Sequence, residues 1–366
     1  NYFAVGHLGA AGGVQVTASH NPAAYNGFKF SLHGARPVSG DDGIPLIEQR
    51  VEGGDLPSAP ERGERREAEI MPAFAEHVTS YLHRDGRRLK VVADAANGMG
   101  ALYRELLEAA DVELVPLYFE LDGTFPNHEA NPLKLENLRD LAEAVRREGA
   151  DLGISFDGDA DRAAFVDERG EPIGSDLMTA LIAGEMLEEH GGGTILYDVR
   201  SSRAVPEYIR EKGGEPRRER VGHSFVKATM RKEGALFGGE LAGHYYFREN
   251  FCADSSILAV YHVLNLLRQG AGSMSERVEP LLRYAKSPEI NFEVEDKQGM
   301  MERLAEHFSD GEVDWLDGVT IDYPDWWFNV RPSNTEPLLR LVVEARDAEM
   351  LEEKKAELFA FLGQPV

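Results

Sequence analysis

From residue 89 onward, short apolar runs alternate with longer amphipathic stretches along the chain. Runs of branched apolar residues are typical of buried strands, whereas apolar residues spaced three and four apart are typical of helices. We predict strands over residues 89–93, 112–117, 151–156, 163–166 and 194–197. We predict helices over residues 101–110, 135–148 and 176–190. This alternation indicates mixed α/β structure. It starts near residue 89, and a second α/β segment begins near Gly174.

The two ends of the chain show different patterns. Residues 53–69 are dense in Pro, Gly and charge, which predicts a surface connection before a helix over residues 72–82. The tail, from about residue 285, has a rhythm that predicts a small, separate α+β domain. Its predicted strands cover 289–294, 319–321, 327–330 and 338–343, and its predicted helices cover 297–307 and 348–362.

Length and composition narrow the class of protein. A chain of 366 residues is expected to form two to four domains with clefts between them. The formal net charge of −25 argues against nucleic acid or an anionic membrane surface as a partner. No apolar run reaches the roughly 18 residues that a membrane span needs. The single cysteine, Cys252, rules out an intrachain disulfide and favours a reducing, cytoplasmic location.

The first motif with chemical potential is Thr17-Ala18-Ser19-His20-Asn21-Pro22, which follows a short apolar run. Asn-Pro favours a turn, so Ser19 is expected to be exposed at the end of a strand. A hydroxyl there is a nucleophile if a base or metal activates it, although most loop serines only bond the local backbone. Lys29 adds a cation for proton transfer or phosphate pairing. The motif is not a Gly-x-Ser-x-Gly elbow, which disfavours a serine hydrolase.

The second motif places Asp157, Asp159 and Asp161 at alternate positions between two predicted strands. Carboxylates at this spacing can converge on one hard divalent cation, and Mg²⁺ is the best candidate. A solvated acidic turn is the simpler alternative. An EF-hand would use Glu168 at its twelfth position, but its sixth position is Arg162 instead of glycine and strands flank the loop.

Two further loops carry polar groups. Gly238 to His244 is glycine-rich and offers Glu240, which can accept hydrogen bonds from vicinal hydroxyls, and His244, which can titrate near neutrality. A plain turn is the competing interpretation. The later loop combines guanidiniums, hydroxyls and an amide, a set suited to a phosphate dianion, although a capped surface turn would use the same residue types. Its candidate residues are Arg331, Ser333, Asn334, Thr335 and Arg340.

Together the four loops supply a nucleophile, three carboxylates for a metal ion, hydrogen-bond acceptors for sugar hydroxyls, and a phosphate-binding loop that we call the phosphate clamp. These are the groups that phosphoryl transfer on a phosphosugar needs. In this order the motifs resemble those of the α-D-phosphohexomutase superfamily. The segment Asp122-Gly-Thr-Phe-Pro-Asn-His128 and the tail segment 327–331 resemble its bacterial phosphomannomutase/phosphoglucomutase branch.

The resemblance implies a multi-domain α/β fold around a central cleft. Three mixed α/β domains, the first incomplete, would precede a C-terminal α+β domain like half of a TATA-binding protein. We predict domains at residues 1–85, 86–172, 173–284 and 285–366. The chain starts without an initiator Met, and we expect it to begin inside a longer protein. Hinge motion of the last domain is expected.

The resemblance also implies residue roles. Ser19 would be the phosphoserine, and Asp157, Asp159 and Asp161 would hold Mg²⁺ with it. The implied catalytic residues are Ser19, His20, Lys29 and His244. The implied substrate-binding residues are Arg162, Arg200, His223, Glu240, His244, Arg331, Ser333, Asn334, Thr335 and Arg340.

The implied reaction interconverts mannose 1-phosphate and mannose 6-phosphate, with glucose phosphates as further substrates, through a hexose 1,6-bisphosphate that also serves as activator. A phosphoglucomutase or a catalytically silent phosphosugar-binding protein is the alternative. Ala242 stands where the family usually has Ser, and Arg200 where it usually has Lys. The expected partners are small hexose phosphates, with neither nucleic acid nor membrane, and the expected state is a monomer or homodimer.

Overall fold

A computed structural model describes residues 1–40, 43–54, 56–270, 272–333 and 337–366 of the chain. Within these residues, four β-sheets follow one another along the sequence, each with its own helices. The first three contain 3, 5 and 5 strands, and the last contains 6. We refer to the sheets and their helices as the first to fourth units.

The first unit is a small antiparallel sheet in the order β1-β2-β3. Its strands are β1 Gly12–Val16, β2 Phe28–Leu32 and β3 Arg36–Pro37. Its helices are α1 Tyr2–His7, α2 Ile44–Gly53 and α3 Met71–Thr79. Residues 56–69 are exposed and form neither helix nor strand, as their composition predicted.

The second unit has the strand order β5-β4-β6-β7-β8, in which β4 pairs in parallel with β5 and β6 and the other pairs are antiparallel. Its strands are β4 Lys90–Asp94, β5 Glu113–Leu117, β6 Leu152–Phe156, β7 Ala163–Val166 and β8 Pro172–Ile173. Its helices are α4 Arg104–Ala109 and α5 Arg139–Glu148. β6 and β7 are fully buried, and the acid motif lies in the loop between them.

The third unit has the order β10-β9-β11-β12-β13, with β9 parallel to both of its neighbours. Its strands are β9 Thr194–Asp198, β10 Glu215–Glu219, β11 Phe237–Gly239, β12 Tyr245–Phe247 and β13 Ala253–Asp254. Its helices are α6 Ser175–His190, α7 Ala204–Glu211, α8 His223–Glu233, α9 Ser256–Arg268 and α10 Met274–Val278. The glycine-rich loop joins β11 to β12.

The fourth unit is antiparallel throughout, in the order β14-β19-β18-β17-β16, and β15 also pairs with β19. Its strands are β14 Ala285–Lys286, β15 Ile290–Glu293, β16 Glu312–Asp314, β17 Val319–Asp322, β18 Trp326–Pro332 and β19 Leu338–Ala345. Its helices are α11 Lys297–His307 and α12 Ala348–Leu362. The predicted α+β tail is therefore confirmed.

The second and third units share one apolar core, whereas the fourth has a core of its own. The ring of Phe165 on β7 packs edge-on against that of Tyr245 on β12, with centroids 6.2 Å apart. The hydroxyl of Tyr261 on α9 donates to the carbonyl of Leu106 on α4 at 2.7 Å. The predicted boundary between residues 172 and 173 falls inside β8, the last strand of the second sheet, and the apolar core continues across it.

Most predicted elements are present with small shifts in their ends. The strand over 163–166 and the helices over 297–307 and 348–362 have the predicted bounds. The helices predicted over 101–110 and 135–148 begin as 3₁₀ turns, and their α-helical parts start at Arg104 and Arg139. The helix predicted over 72–82 already ends at Thr79. Sequence analysis missed β10, because its sequence Glu-Pro-Arg-Arg-Glu lacks apolar alternation and belongs to an edge strand.

Candidate active site

Ser19 lies in the loop after β1 and is held there by Thr17. Its backbone has φ 54°, a left-handed conformation that costs a non-glycine residue about 1–3 kcal/mol. The Thr17 hydroxyl accepts a hydrogen bond from the Ser19 N–H at 2.8 Å and donates one to Asp159 Oδ2 at 2.8 Å. Thr17 therefore fixes the turn that presents Ser19 and joins it to the acid loop.

The acid loop, residues 157–162, meets the Ser19 loop at the backbone. A Cβ on Gly158 would lie 2.3 Å from the Ser19 carbonyl oxygen, so a side chain cannot be accommodated there without a shift. The Ser19 hydroxyl donates to Asp157 Oδ2 at 3.2 Å. The other oxygen of Asp157 accepts from the Arg162 N–H at 3.2 Å. The loop between β6 and β7 thus places a carboxylate directly on the predicted nucleophile.

Lys29 on β2 balances the negative charge of the acid loop. Its Nζ lies 2.9 Å from Asp159 Oδ2 and 2.5 Å from Asp161 Oδ2. Burial disfavours the ammonium form, but the charges of Asp161 and Asp159 outweigh it and raise the pKa of Lys29. Burial and the like charges of the same two residues raise the pKa of Asp157. The loop therefore favours nearby cations, and Lys29 supplies one.

The three aspartates fit a divalent cation. Asp157, Asp159 and Asp161 each offer one carboxylate oxygen, and these atoms all lie within 4.8 Å of one another. Oδ1 of Asp159 and Oδ1 of Asp161 are buried and accept no hydrogen bond from the described residues. A set of anionic oxygen donors suits a hard ion such as Mg²⁺. The donor chemistry agrees with the sequence-based prediction.

His244 brings the third predicted loop against the second. Its Nε2 lies 3.0 Å from Arg162 Nε, and its Nδ1 lies 3.1 Å from Asp254 Oδ2 and 3.7 Å from Asp161 Oδ1. Burial disfavours the charged ring, but the carboxylates of Asp161 and Asp254 outweigh it and raise the pKa of His244. The imidazole is therefore held between a guanidinium and two acids.

Sequence analysis missed two charged residues behind His244. Asp254 on β13 accepts a hydrogen bond from Lys227 Nζ at 3.0 Å, and the Lys227 side chain is fully buried. The Lys227 ammonium also lies 3.7 Å from the centre of the Tyr2 ring on α1. The one signal in the sequence was a lysine and an aspartate, each in an otherwise mainly apolar stretch. The pair joins α8, β13 and α1 beneath the imidazole.

The two other predicted histidines are held in the neutral form. His20 Nδ1 lies 3.4 Å from Ser19 Oγ, and burial and the charge of Arg162 lower the pKa of His20 to about 4. His223 is the first residue of α8, and burial and the charge of Lys227 lower its pKa to about 3. At neutral pH neither ring is a positively charged imidazolium.

Glu240, in the glycine-rich loop, is buried and already hydrogen-bonded. Its carboxylate accepts from the Gly222 N–H at 2.8 Å and from the Tyr246 hydroxyl. The next residue, Leu241, donates its N–H to Asp198 Oδ2 at 2.8 Å. Because each carboxylate oxygen has two lone pairs, Glu240 keeps capacity for further donors while its orientation is fixed.

Arg331 and Arg340 are direct neighbours across β18 and β19. Glu289 lies between them: its Oε2 is 2.8 Å from Arg331 Nη2, and its Oε1 is 3.0 Å from Arg340 Nη1. Ser333 follows the end of β18, and the predicted ligands Asn334 and Thr335 lie outside the described residues. The structure therefore places two of the predicted clamp residues on one carboxylate that sequence analysis missed.

Arg200 connects this clamp to the glycine-rich loop. Its Nη2 pairs with Asp198 Oδ2 at 2.6 Å, and its Nη1 lies 3.4 Å from Glu289 Oε2. Asp198 is the residue that also accepts from Leu241 N–H. The predicted site residues thus form two groups. Direct contacts link Ser19, Lys29, the three aspartates and His244 in the first, and Arg200, Arg331 and Arg340 in the second.

A cavity of about 600 Å³ opens beside Ser19. Lys29, Asp159 and Asp161 contribute to its wall, together with apolar side chains such as Phe74 and Met99. It can take a ligand with both charged and apolar faces. The Ser19 loop and the acid loop are therefore accessible to a small molecule.

Sequence profiles of the phosphoglucomutase/phosphomannomutase family match the chain in order. Alpha/beta/alpha domains I, II and III match residues 1–57, 72–170 and 174–284, and the C-terminal domain matches residues 289–361. A Xanthomonas campestris pv. campestris protein described as phosphohexose mutases is 40% identical over 98% of this chain and 81% of its own length. The chain belongs to the phosphoglucomutase/phosphomannomutase family.

A further sequence relative and a crystal structure support the assignment to the phosphoglucomutase/phosphomannomutase family. A Salmonella typhimurium phosphomannomutase is 38% identical over 99% of this chain and 82% of its own length. The crystal structure of a Burkholderia thailandensis family member superposes with a TM-score of 0.88 at 32% identity, covering 97% of this chain and 77% of that one.

Membership of the phosphoglucomutase/phosphomannomutase family confirms three predictions: the family, the fold class of α/β domains with a distinct C-terminal domain, and an isomerase of the phosphohexomutase type. The incomplete first domain is not among them, because the profile of domain I matches residues 1–57. Among the residues that the structure describes, no helix combines the length and the apolar character that a membrane crossing requires. The roles of the individual site residues stay predictions.

Proposed function

We propose that the chain interconverts mannose 1-phosphate and mannose 6-phosphate, with the glucose phosphates as further substrates. The observation that carries this proposal is the position of the Ser19 hydroxyl, 3.2 Å from Asp157 Oδ2 and backed by the three aspartates and Lys29. A hydroxyl that lies next to three carboxylates, a lysine ammonium group and an accessible cavity suits a phosphoryl carrier. The relative named phosphomannomutase supports the choice of mannose, and the one named phosphohexose mutases supports a range of hexose phosphates.

In the proposed cycle, phosphorylated Ser19 gives its phosphoryl group to the free hydroxyl of a hexose phosphate. The bond between phosphorus and Ser19 Oγ breaks, and a bond from phosphorus to the sugar oxygen forms. One proton leaves the sugar hydroxyl and one reaches Ser19 Oγ. His244 and Lys29 are the proposed proton carriers, because both side chains lie beside the Asp161 carboxylate of the acid loop.

The product of this step is a hexose 1,6-bisphosphate. Once it has turned in the cleft, its other phosphoryl group returns to Ser19, and the isomeric monophosphate is released. A bisphosphate added from outside would load Ser19 in the same way and act as activator. Arg331 and Arg340 would hold the phosphate that does not react, and Glu240 would accept hydrogen bonds from the sugar hydroxyls.

Mg²⁺ is the proposed cofactor, held by Asp157, Asp159 and Asp161 with an oxygen of the phosphorylated Ser19. When bound, it would offset charge on the transferring phosphoryl group. The chain's own residues provide the rest. Thr17 fixes the turn, Asp157 orients the Ser19 oxygen, and Lys29 neutralises the remaining acids.

The test measures turnover and covalent phosphate together. The chain is supplied with Mg²⁺, a trace of glucose 1,6-bisphosphate, and either mannose 1-phosphate or glucose 1-phosphate. We expect the corresponding 6-phosphate, and one phosphate on Ser19 by intact mass and peptide mapping. Ser19→Ala should lower turnover by about a thousandfold or more, since the carrier oxygen is lost.

Ser58→Ala, in the exposed connection before α3, is the matched control and should leave turnover unchanged. Turnover of Ser19→Ala at the rate of the unmodified chain would contradict the mechanism. Binding of the sugar phosphates without turnover or phosphoserine would instead favour the silent phosphosugar-binding protein.

A further inference from the structure

Glu289 occupies the place where three guanidiniums converge. It lies between β14 and β15, at the start of the fourth unit. Its carboxylate receives Arg331 from β18, Arg340 from β19 and Arg200 from the loop after β9. The first two contacts measure 2.8 and 3.0 Å, and the third 3.4 Å. One carboxylate therefore ties two strands of the fourth unit to the third.

The sheet register explains why a carboxylate is needed here. Arg331 and Arg340 are paired directly across β18 and β19, and like charges in that position repel each other. Arg331 is only 2% exposed, so water screens this repulsion weakly. Glu289 offsets the charge and gives both guanidiniums one common acceptor. Without it, the two side chains would separate.

The charges also hold Glu289 in the ionised form. Burial opposes ionisation, but Arg200, Arg331 and Arg340 outweigh it and lower the pKa of Glu289. Arg200 already has a tighter partner in Asp198, at 2.6 Å. The shorter contacts of Glu289 are those to Arg331 and Arg340, and these two guanidiniums are the ones that it orients. The Nε of Arg331 is buried and has no hydrogen-bond partner among the described residues, so this guanidinium keeps a donor for another acceptor.

We propose that Glu289 is a positioning residue that orients Arg331 and Arg340 for the substrate's non-reacting phosphate and limits how tightly they hold it. The inference rests on the proposed function of this clamp. A phosphate dianion and the Glu289 carboxylate seek the same guanidinium donors, so the phosphate binds a clamp whose charge is already partly neutralised. A moderate affinity matters because, in the proposed cycle, the bisphosphate must dissociate from the two arginines and turn between the two transfer steps.

The test separates binding from turnover. Binding of mannose 6-phosphate is measured by calorimetry in Ser19→Ala, with and without Glu289→Gln. Gln keeps the shape and one acceptor oxygen but removes the charge. We expect roughly 3- to 10-fold tighter binding, the effect of one charge at a partly buried site. In the chain with Ser19 intact, Glu289→Gln should lower KM and also lower kcat.

Two further variants keep the inference falsifiable. Glu293→Gln, at the exposed end of β15, makes the same change away from the clamp and should alter neither binding nor kcat. Glu289→Asp keeps the charge and should bind no more tightly than the unmodified chain. Equal or weaker binding by Glu289→Gln, in a variant that melts like the control, would overturn the inference.

The binding arm is independent of mutase activity. Failure of the proposed function would appear as absent turnover in the unmodified chain, whatever the Glu289 variants bind. Tighter binding by Glu289→Asp as well as by Glu289→Gln would also overturn the inference, because charge would then not be the cause.

Discussion

Two of the joins between neighbouring units differ in the chemistry of their contacts. The second and third units are joined by a continuous apolar core, in which Phe165 meets Tyr245 and α9 packs under α4. The third and fourth are joined by charges and hydrogen bonds. The Arg203 guanidinium there donates to the carbonyls of Pro324 at 3.0 Å and Trp326 at 3.1 Å, and pairs with Asp322 at 3.0 Å.

Opening an apolar join exposes hydrocarbon to water, whereas opening a polar join exchanges protein partners for water molecules. The second and third units should therefore behave as one body. The fourth has a core of its own, which a rotation of this unit would leave intact, and ion pairs such as Arg218 with Asp314, at 2.6 Å, could form again afterwards. This difference supports the expectation of hinge motion in the last unit.

The largest effect should come from breaking the apolar join. Tyr261→Ala removes a fully buried ring from α9 and should lower the free energy of unfolding by about 3–5 kcal/mol. Urea unfolding followed by circular dichroism measures this. Tyr261→Phe keeps the ring and loses only the bond to Leu106, so it should cost about 1 kcal/mol. A loss below 1 kcal/mol for Tyr261→Ala would mean that the two units do not depend on one core.

A smaller effect should come from breaking the polar join. Arg203→Ala removes the guanidinium that reaches Asp322 and the neighbouring carbonyls, and should weaken the join by about 1–3 kcal/mol. We expect faster amide hydrogen exchange in β17 and β18 near the join, and little change in β6 and β7. Arg210→Ala, on the nearby helix α7, serves as the control. Equal acceleration in all four strands would show that the fourth unit does not move separately.

The smallest effect should be a dependence on pH at the clamp. The pKa of Glu289 is below its ordinary value of 4.5 in the folded chain, so the ionised group stabilises the fold at pH values above 4.5. That stabilisation is lost as the pH falls below 4.5 toward the folded pKa. The melting temperature of Glu289→Gln should therefore fall less between pH 5 and pH 3 than that of the unmodified chain. Parallel curves for the two proteins would contradict this.

The sequence was most informative where chemistry is local. The Ser19 and acid loops are continuous motifs, so their candidate residues could be predicted. The strand before the acid loop has a strong apolar pattern, whereas only a short apolar run precedes the Ser19 loop. The left-handed backbone of Ser19 and its contact with Gly158 could not, because they depend on how two distant loops meet.

Groups that act through distant partners escaped prediction. Asp254 and Lys227 belong to no motif, and they matter only because β13 and α8 converge behind His244. Glu289 resembles any acid before a strand until β18 and β19 bring two arginines to it. The shared core of the second and third units is likewise invisible in the periodicity of either unit alone.

The close contact between Gly158 and Ser19 limits which parts of the molecule can move relative to each other. Because the Ser19 loop and the acid loop touch at the backbone, and Thr17 bonds to both Ser19 and Asp159, the two loops cannot separate without breaking these contacts. We therefore expect the Ser19 loop and the acid loop to move as one body. In the proposed cycle, the turning of the bisphosphate would therefore draw on movement of the bisphosphate itself and of the fourth unit, whose arginines would move with their sheet.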